Sequence, residues 1–400
     1  MDVFPWSMKR INRRMLKYIG AHFFLLFLLS GCTSAEDTPV PDLFLESQGE
    51  LKVIHTLPIR EAVQGSGIQE TLWVNDSLFV VINGVPVSEI NAATVLILKK
   101  SVHDTEWTAQ KYWNRRLGQT MLITNLAKMG HDLVGLDPFG RVFNLDKHKK
   151  GIPELLFRLQ KPAGRDGLML SAPTLRILEA KGLILSSLYS AKYGMDDPAY
   201  YREGNHPIGV FNREGKFQQG FLTYPEVLRN VNGSKSFRME TIGVGQERLF
   251  VHQVPNDFVS VYDYGFRERQ KVKLPDMQYL KKDYVFRAVP DSILQISDPW
   301  EKARKKEQYS LPPDYVEHIV VEDDKLRLFF VSLLENRFRR YCILDCNLTT
   351  GACRETLVKN ATNKESVAFF PMAGDRFYFI SRRRLADGQK DVVLHEAIIE

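Results

Sequence analysis

The feature that most constrains this chain is a short apolar strand entered through a tight polar turn, and it recurs along the sequence. Residues 316–358 show it most fully. Residues 316–321 are rich in β-branched apolar side chains, Asp323-Asp324 turns, 326–334 is a long, mostly apolar run, and Glu335-Asn336 turns again. Residues 338–344 follow and end on Asp345; the loop Asn347-Leu348-Thr349-Thr350-Gly351 then leads into 353–358. Strands joined by such turns make an antiparallel meander. One such sheet cannot bury both its faces, so the chain must contain more copies.

The copies fall into two columns. In the first, a turn precedes a long apolar strand: Asn75-Asp76-Ser77 before 78–82, His131-Asp132 before 133–136, and Lys181-Gly182 before 183–188. The same column continues with Gln246-Glu247-Arg248 before 249–254, Asp323-Asp324-Lys325 before 326–331, and Gly374-Asp375-Arg376 before 377–380. In the second, a strand ends as the chain turns polar: 94–98 before Lys99, 142–145 before Asp146, 208–211 before Asn212, 259–262 before Asp263, 342–344 before Asp345 and 397–399 before Glu400. Asp and Asn at these ends suit turns, because their side chains bond nearby backbone amides.

Six pairs of columns with a period of roughly 60 residues, longer than the roughly 40–45 of common propeller repeats, imply some long loops. Four strands per copy and no long helix make the expectation an all-β chain, a six-bladed β-propeller with seven blades as the alternative. The last copy stops at its third strand, and 51–59 is an apolar strand without a repeat of its own. That N-terminal strand is expected to complete the last sheet and close the ring, which removes an exposed edge. The expected sheets are 68–115, 118–160, 173–224, 238–275, 315–359 and 366–400 with 51–59. Residues 283–297 are the candidate for two strands of a seventh. Two segments interrupt the rhythm, 189–206 and 276–314, and both fall on the rim formed by second-to-third loops and sheet-to-sheet loops. Loops on a rigid ring are where binding sits.

The first residues read as an export signal and are set apart from the fold. Lys9, Arg10, Arg13, Arg14 and Lys17 precede an apolar run at 19–29 that is too short for a comfortable membrane span. Met8 and Met15 are alternative starts. Arg13-Arg14 raises twin-arginine export, but the very apolar run favours general secretion. Leu29-Ser30-Gly31-Cys32 follows: an aliphatic residue, two small ones, then the cysteine whose thiol would take the lipid. The expected division is a signal at 1–31, a lipidated tether at 32–49 and a propeller at 50–400. Without 1–31 the chain loses five basic residues and one acid, leaving 49 basic and 47 acidic residues and a net charge of +2 instead of +6. A nucleic-acid reading loses its support.

Few residues carry recognisable chemistry. With Cys32 lipidated, Cys346 and Cys353 flank one hairpin turn and are expected either to pair as a disulfide, permitted in an oxidising compartment, or to remain buried thiols; Cys342 reads as a buried thiol. No metal site is expected, since the histidines show no i, i+2 or i, i+4 pair and no second cysteine pair exists. No cofactor is expected either: neither Gly-x-Gly stretch has a phosphate loop's context, and no Gly-x-Ser-x-Gly elbow occurs. The 189–206 insertion offers Tyr193, Asp196, Asp197, Tyr200, Tyr201, Arg202 and His206, and the second offers Trp300. Aromatics with carboxylates and an arginine suit sugar or peptide recognition; they equally suit a well-packed polar loop.

LSGC at 29–32, the two columns and the split last sheet together resemble the TolB-like six-bladed β-propeller lipoproteins of Gram-negative bacteria. The resemblance implies an outer-membrane lipoprotein, facing periplasm or cell surface, that binds something on one rim; Thr33 after the cysteine agrees with outer-membrane sorting. It transfers no catalytic residue. The reading is a non-enzymatic binding or scaffold protein for a protein, peptide or glycan. The alternative is a propeller hydrolase or lyase of polysaccharide or peptide, which needs carboxylates, or a histidine with a carboxylate, meeting in an axial pocket.

Overall fold

The computed structural model describes residues 39–400 apart from 59–66, 75–76, 85–91, 101–106, 115–122, 124, 138, 150–151, 161–167, 191, 194–198, 203–205, 230–239, 255, 281–288, 303–304, 306–313, 334–338, 362–364, 371–375 and 386–389. Two strands come first, β1 (Phe44–Gly49) and β2 (Leu51–Pro58). The first blade is β3 (Gly67–Val74), β4 (Ser77–Gly84), β5 (Ala92–Lys100) and β6 (Trp107–Asn114). The second is β7 (Asn125–Met129), β8 (Asp132–Leu136), β9 (Arg141–Lys149) and β10 (Ile152–Arg158). The third is β11 (Leu168–Leu178), β12 (Leu183–Ser190), β13 (Ile208–Asn212) and β14 (Phe217–Phe221). The fourth is β15 (Glu240–Val244), β16 (Arg248–Gln253), β17 (Phe258–Asp263) and β18 (Glu268–Lys273). The fifth is β19 (Asp314–Glu322), β20 (Lys325–Leu333), β21 (Arg339–Asn347) and β22 (Ala352–Ala361). Three strands end the chain: β23 (Glu365–Phe370), β24 (Arg376–Arg384) and β25 (Lys390–Ile399).

The molecule is an all-β propeller, but not a ring of six equivalent blades, and the seven-bladed option fails as well. Five blades fold from strands consecutive in the chain, and the fifth of these gains another strand, β1, paired parallel to β22. The remaining sheet is composite, in the order β2-β25-β24-β23, with β2 antiparallel to β25 from Leu51 opposite Ile399 to Pro58 opposite Val393. The strand at 51–59 does complete the last sheet, as expected, but periodicity did not show that β1 would join the fifth blade. Within 283–297 the described residues hold a short helix, Asp291–Leu294, not strands. Pro290 sets φ at −58° just before it and Asp291 sits in its first turn, both favouring a helix start.

Val40 and Leu43 are buried against the fourth and fifth blades, and β1 begins at Phe44, so the stretch to 49 is folded rather than a free linker. Gln270 holds Val40, its side chain accepting from the Val40 N–H at 2.8 Å and donating to the Val40 carbonyl.

The first strands neighbour one another around the axis, β3 beside β7, β7 beside β11, β11 beside β15, β15 beside β19, with β23 returning beside β3. Alternation then gives each blade two apolar faces. On the fifth, Leu326, Leu328, Phe330, Cys342, Leu344, Cys346 and Cys353 pack toward the fourth blade. Phe329, Val331, Tyr341 and Ile343 pack toward the composite sheet, where they meet Val367, Phe369, Phe377 and Phe379. Each side chain buried at such a seam contributes roughly 1.5–3 kcal/mol.

One turn recurs and explains part of the second column. Asp137 accepts from the N–H groups of Phe139 and Arg141, Asn212 from those of Glu214 and Lys216, and Asp263 from those of Gly265 and Arg267. The third residue after each lies in the left-handed region: Gly140 at φ 75°, Gly215 at 77° and Phe266 at 63°. Asp345 breaks the pattern. It lies inside β21, and Asn347 caps the turn instead, accepting from Thr349 and Thr350 N–H at 2.8 Å each.

Candidate functional site

The sequence-selected insertion does not form an open site among its described residues. Tyr200 and Tyr201, on the short helix Ala199–Arg202, are buried with Tyr224 and Leu228, and Tyr193 packs on the group. Their rings meet at 4.9 to 5.8 Å between centroids, and burial pushes the Tyr224 hydroxyl far above its usual range. Tyr200 and Tyr201 are thus packed inside, while Tyr193 is half-buried. Arg202 donates to the Arg229 carbonyl at 2.5 Å, and the His206 Nδ1 lies 2.6 Å from the Leu222 carbonyl, with its ring over Gly220. Asp196, Asp197 and Cys32 lie outside the described residues. Trp300 is 86% exposed.

The buried carboxylates are committed. Asp137 pairs with Arg141 at 2.6 Å, and Asp263 with Arg267 and Arg269 at 2.9 and 2.7 Å. Glu396 pairs with Arg376 at 2.9 Å. Glu355, fully buried, accepts the N–H groups of Gln278 and Tyr279 at 2.8 and 3.0 Å, tying the start of the 276–314 insertion to β22. A serine–histidine contact does occur: Ser381 Oγ lies 2.6 Å from His395 Nε2, while the buried Nδ1 meets no hydrogen-bond partner. A hydrolytic triad needs a carboxylate there to hold the ring and stabilise its cation.

A concavity of about 480 Å³ opens on the fifth blade, on the face toward the composite sheet. Its floor follows from register. Arg327, Asp345 and Arg354 stand directly opposite one another on β20, β21 and β22, with Ser47 of β1 next in the row. Lys325 and Asn347 form the neighbouring row. Phe44 and Glu46 of β1 line one lip, Thr350 and Ala352 the turn end, and Ile399 the far wall. Arg327 is 4% exposed and meets Asp345 Oδ2 at 3.2 Å, while the other oxygen of Asp345 is buried without a hydrogen-bond partner. Arg354 is exposed and makes no ion pair among the described residues. Three cations thus line the cleft against two carboxylates, Asp345 and Glu46, beside an aromatic ring 51% exposed. That chemistry takes up an anionic group carried on a partly apolar ligand, the guanidiniums offering the stronger charge-assisted bonds.

Cys346 and Cys353 border this cleft and are joined by a disulfide, each directly opposite the other on β21 and β22. Cys342 is a buried thiol, and burial pushes its pKa far up, which keeps it inert. Among the described residues no group of three His, Cys, Asp or Glu side chains is arranged to hold a metal.

Arg327 and Arg354 escaped the reading of the sequence because basic residues scattered along strands look like ordinary surface positions. A signal was present in part: Arg327 and Asp345 interrupt apolar alternation on two successive strands. The register that aligns them is not visible without the structure.

No protein-family model matches the chain, and no curated protein does. Among solved structures, one from Dyadobacter fermentans, of unknown function, is 10% identical over 88% of this chain and 99% of its own, with a TM-score of 0.43. A neuraminidase-like protein of A/flat-faced bat/Peru is 10% identical over 90% of this chain and 97% of its own, TM-score 0.43. Regucalcin, a calcium-binding protein from Agrobacterium tumefaciens, is 11% identical over 90% of this chain and 97% of its own, TM-score 0.38. Likenesses of this size decide nothing about activity.

Proposed function

We propose that this protein is a lipid-anchored β-propeller of the cell envelope that binds a partner, a protein, peptide or glycan, without transforming it. The cleft carries the reading: Arg327, Lys325 and Arg354 converge on one open, partly aromatic concavity. A propeller supplies a rigid frame, so a site preformed between sheets binds without the entropy of ordering it. Lipid attachment at Cys32 and outer-membrane sorting rest on LSGC at 29–32 and on Thr33. The division that follows is a signal at 1–31, a tether after Cys32 and a folded body from Val40. Kinship with the TolB-like lipoproteins belongs to the same proposal.

Two experiments test it. Labelled palmitate should enter the full chain and fail to enter the Cys32→Ser variant; label retained by that variant removes the anchor. The purified protein should capture carboxylated glycans or glutamate-bearing peptides on arrays, and the Lys325→Glu/Arg354→Glu variant should lose them about tenfold or more. Equal capture by the variant removes the cleft.

A further inference from the structure

The fifth blade ends on β1, and no strand lies beyond it among the described residues. An open edge is a template for another chain unless the sequence blunts it. Three other outer strands are blunted: β2 holds Lys52 and Pro58, β10 holds Pro153, and β18 carries Glu268, Arg269, Lys271 and Lys273, while β14, Phe-Gln-Gln-Gly-Phe, is only five residues long. β1, Phe-Leu-Glu-Ser-Gln-Gly, has neither lysine nor proline.

Arg354 points the same way. It stands opposite Ser47, and a Cβ built on Gly49 would lie 2.8 Å from its Cδ. Its stem therefore crosses β1 where the strand offers one short side chain and one with none, which carries the exposed guanidinium toward the open edge. Phe44, half-exposed at the start of the strand, offers an apolar contact on the cleft lip.

We propose that β1 is a docking edge for an extended polypeptide, which adds as a further strand and sets one acidic side chain on Arg354. The proposal rests on the cleft being a binding site and names its partner as a peptide strand. Main-chain bonds to β1 supply affinity, and alternating side chains supply specificity. Glu46 and Glu50 lie on the same stretch of chain, so a segment with a single acid fits where a polyacidic one is repelled.

The test uses the full lipidated chain in detergent and a fluorescein-labelled seven-residue peptide of alternating valine and threonine with one central glutamate. Its anisotropy should rise on binding. Methylating alternate backbone nitrogens of the peptide should weaken binding about tenfold or more, because each lost N–H removes a strand bond. Arg354→Glu should weaken it about tenfold, and replacing the peptide's glutamate by lysine should restore binding to that variant alone. Undiminished binding of the methylated peptide, or no restoration by the charge swap, overturns the strand. Galacturonate and inorganic phosphate form the small-anion arm. If they bind through Arg354 while the peptide does not, the cleft stands and the strand falls; if nothing binds, both fall.

Discussion

His252 shows how far burial alone moves chemistry. It is 5% exposed on β16, Nε2 lies 3.0 Å from the Asn256 carbonyl, and burial pulls its pKa from 6.5 down to about 4. Above pH 6.5 the ring is neutral in both folded and unfolded chains and costs nothing. As pH falls from 6.5 toward 4, only the unfolded chain takes up the proton, so stability drops by about 3 kcal/mol in all. Urea unfolding followed across that window should show the loss, and His252→Gln should flatten it. The Arg327–Asp345 pair gives a second prediction at this scale. Asp345→Leu takes the carboxylate away from a buried guanidinium and should cost about 3 kcal/mol; adding Arg327→Leu should recover most of that, measured by thermal unfolding of both variants. Legibility in the sequence follows the same division. Asn212 and Asp263 could be read as turn residues because the chemistry of an Asx turn is local. Asp345 looked identical by position, and only its cross-strand neighbours, Arg327 and Arg354, reveal that it belongs to a charged row. The tyrosines at 200 and 201 were ambiguous for a related reason: whether an aromatic packs or contacts is decided by Tyr224 and Leu228, remote in the chain from the loop that carries them.

At the scale of elements, the β21–β22 hairpin and the segment 40–50 act together. The disulfide joins facing strands across a tight turn, and its short loop predicts a contribution of about 2 kcal/mol by loop entropy. Cys346→Ser/Cys353→Ser should lower the unfolding midpoint accordingly, and mild reductant should do the same to the parent only. The turn it braces, at Gly351, accepts the Phe44 N–H at 2.9 Å, and so starts β1. Gly49 then lets the chain leave that blade: a Cβ there would lie 2.3 Å from Thr356 Oγ1 and 2.7 Å from Ile399. Gly49→Val should therefore loosen both β1 and β2, and hydrogen exchange should quicken at residues 44–58 while β15–β17 keeps its protection. The strands themselves were legible because period-two alternation is strong in this chain. β1 was not, since six residues with half-exposed alternation resemble a linker until Leu45 finds the seam between blades.

For the whole molecule, the pairing of β2 with β25 makes the ring's integrity depend on the N-terminal segment. A chain beginning at Glu50 lacks β1 but keeps β2; it should stay monomeric and lose stability. A chain beginning at residue 60 leaves β25 with an open edge and should aggregate, read by light scattering at equal concentration. The propeller could be inferred because the repeats are numerous and because a last copy short of one strand calls for a donor. The inequality of the sheets could not, since nothing in periodicity says that β1 will choose the neighbour of the sheet β2 joins.

The composite sheet also sets the order in which this protein can come into being. Leu51 waits for Ile399, nearly the full length of the chain away, while every other blade can form from residues already at hand. Pairing of β2 with β25 thus comes late in synthesis, and it is slow by contact order. Until then β2 is an apolar strand without a mate, close behind the segment that leads the chain. A chain of this design stays open at that sheet until β25 arrives, and locks only then.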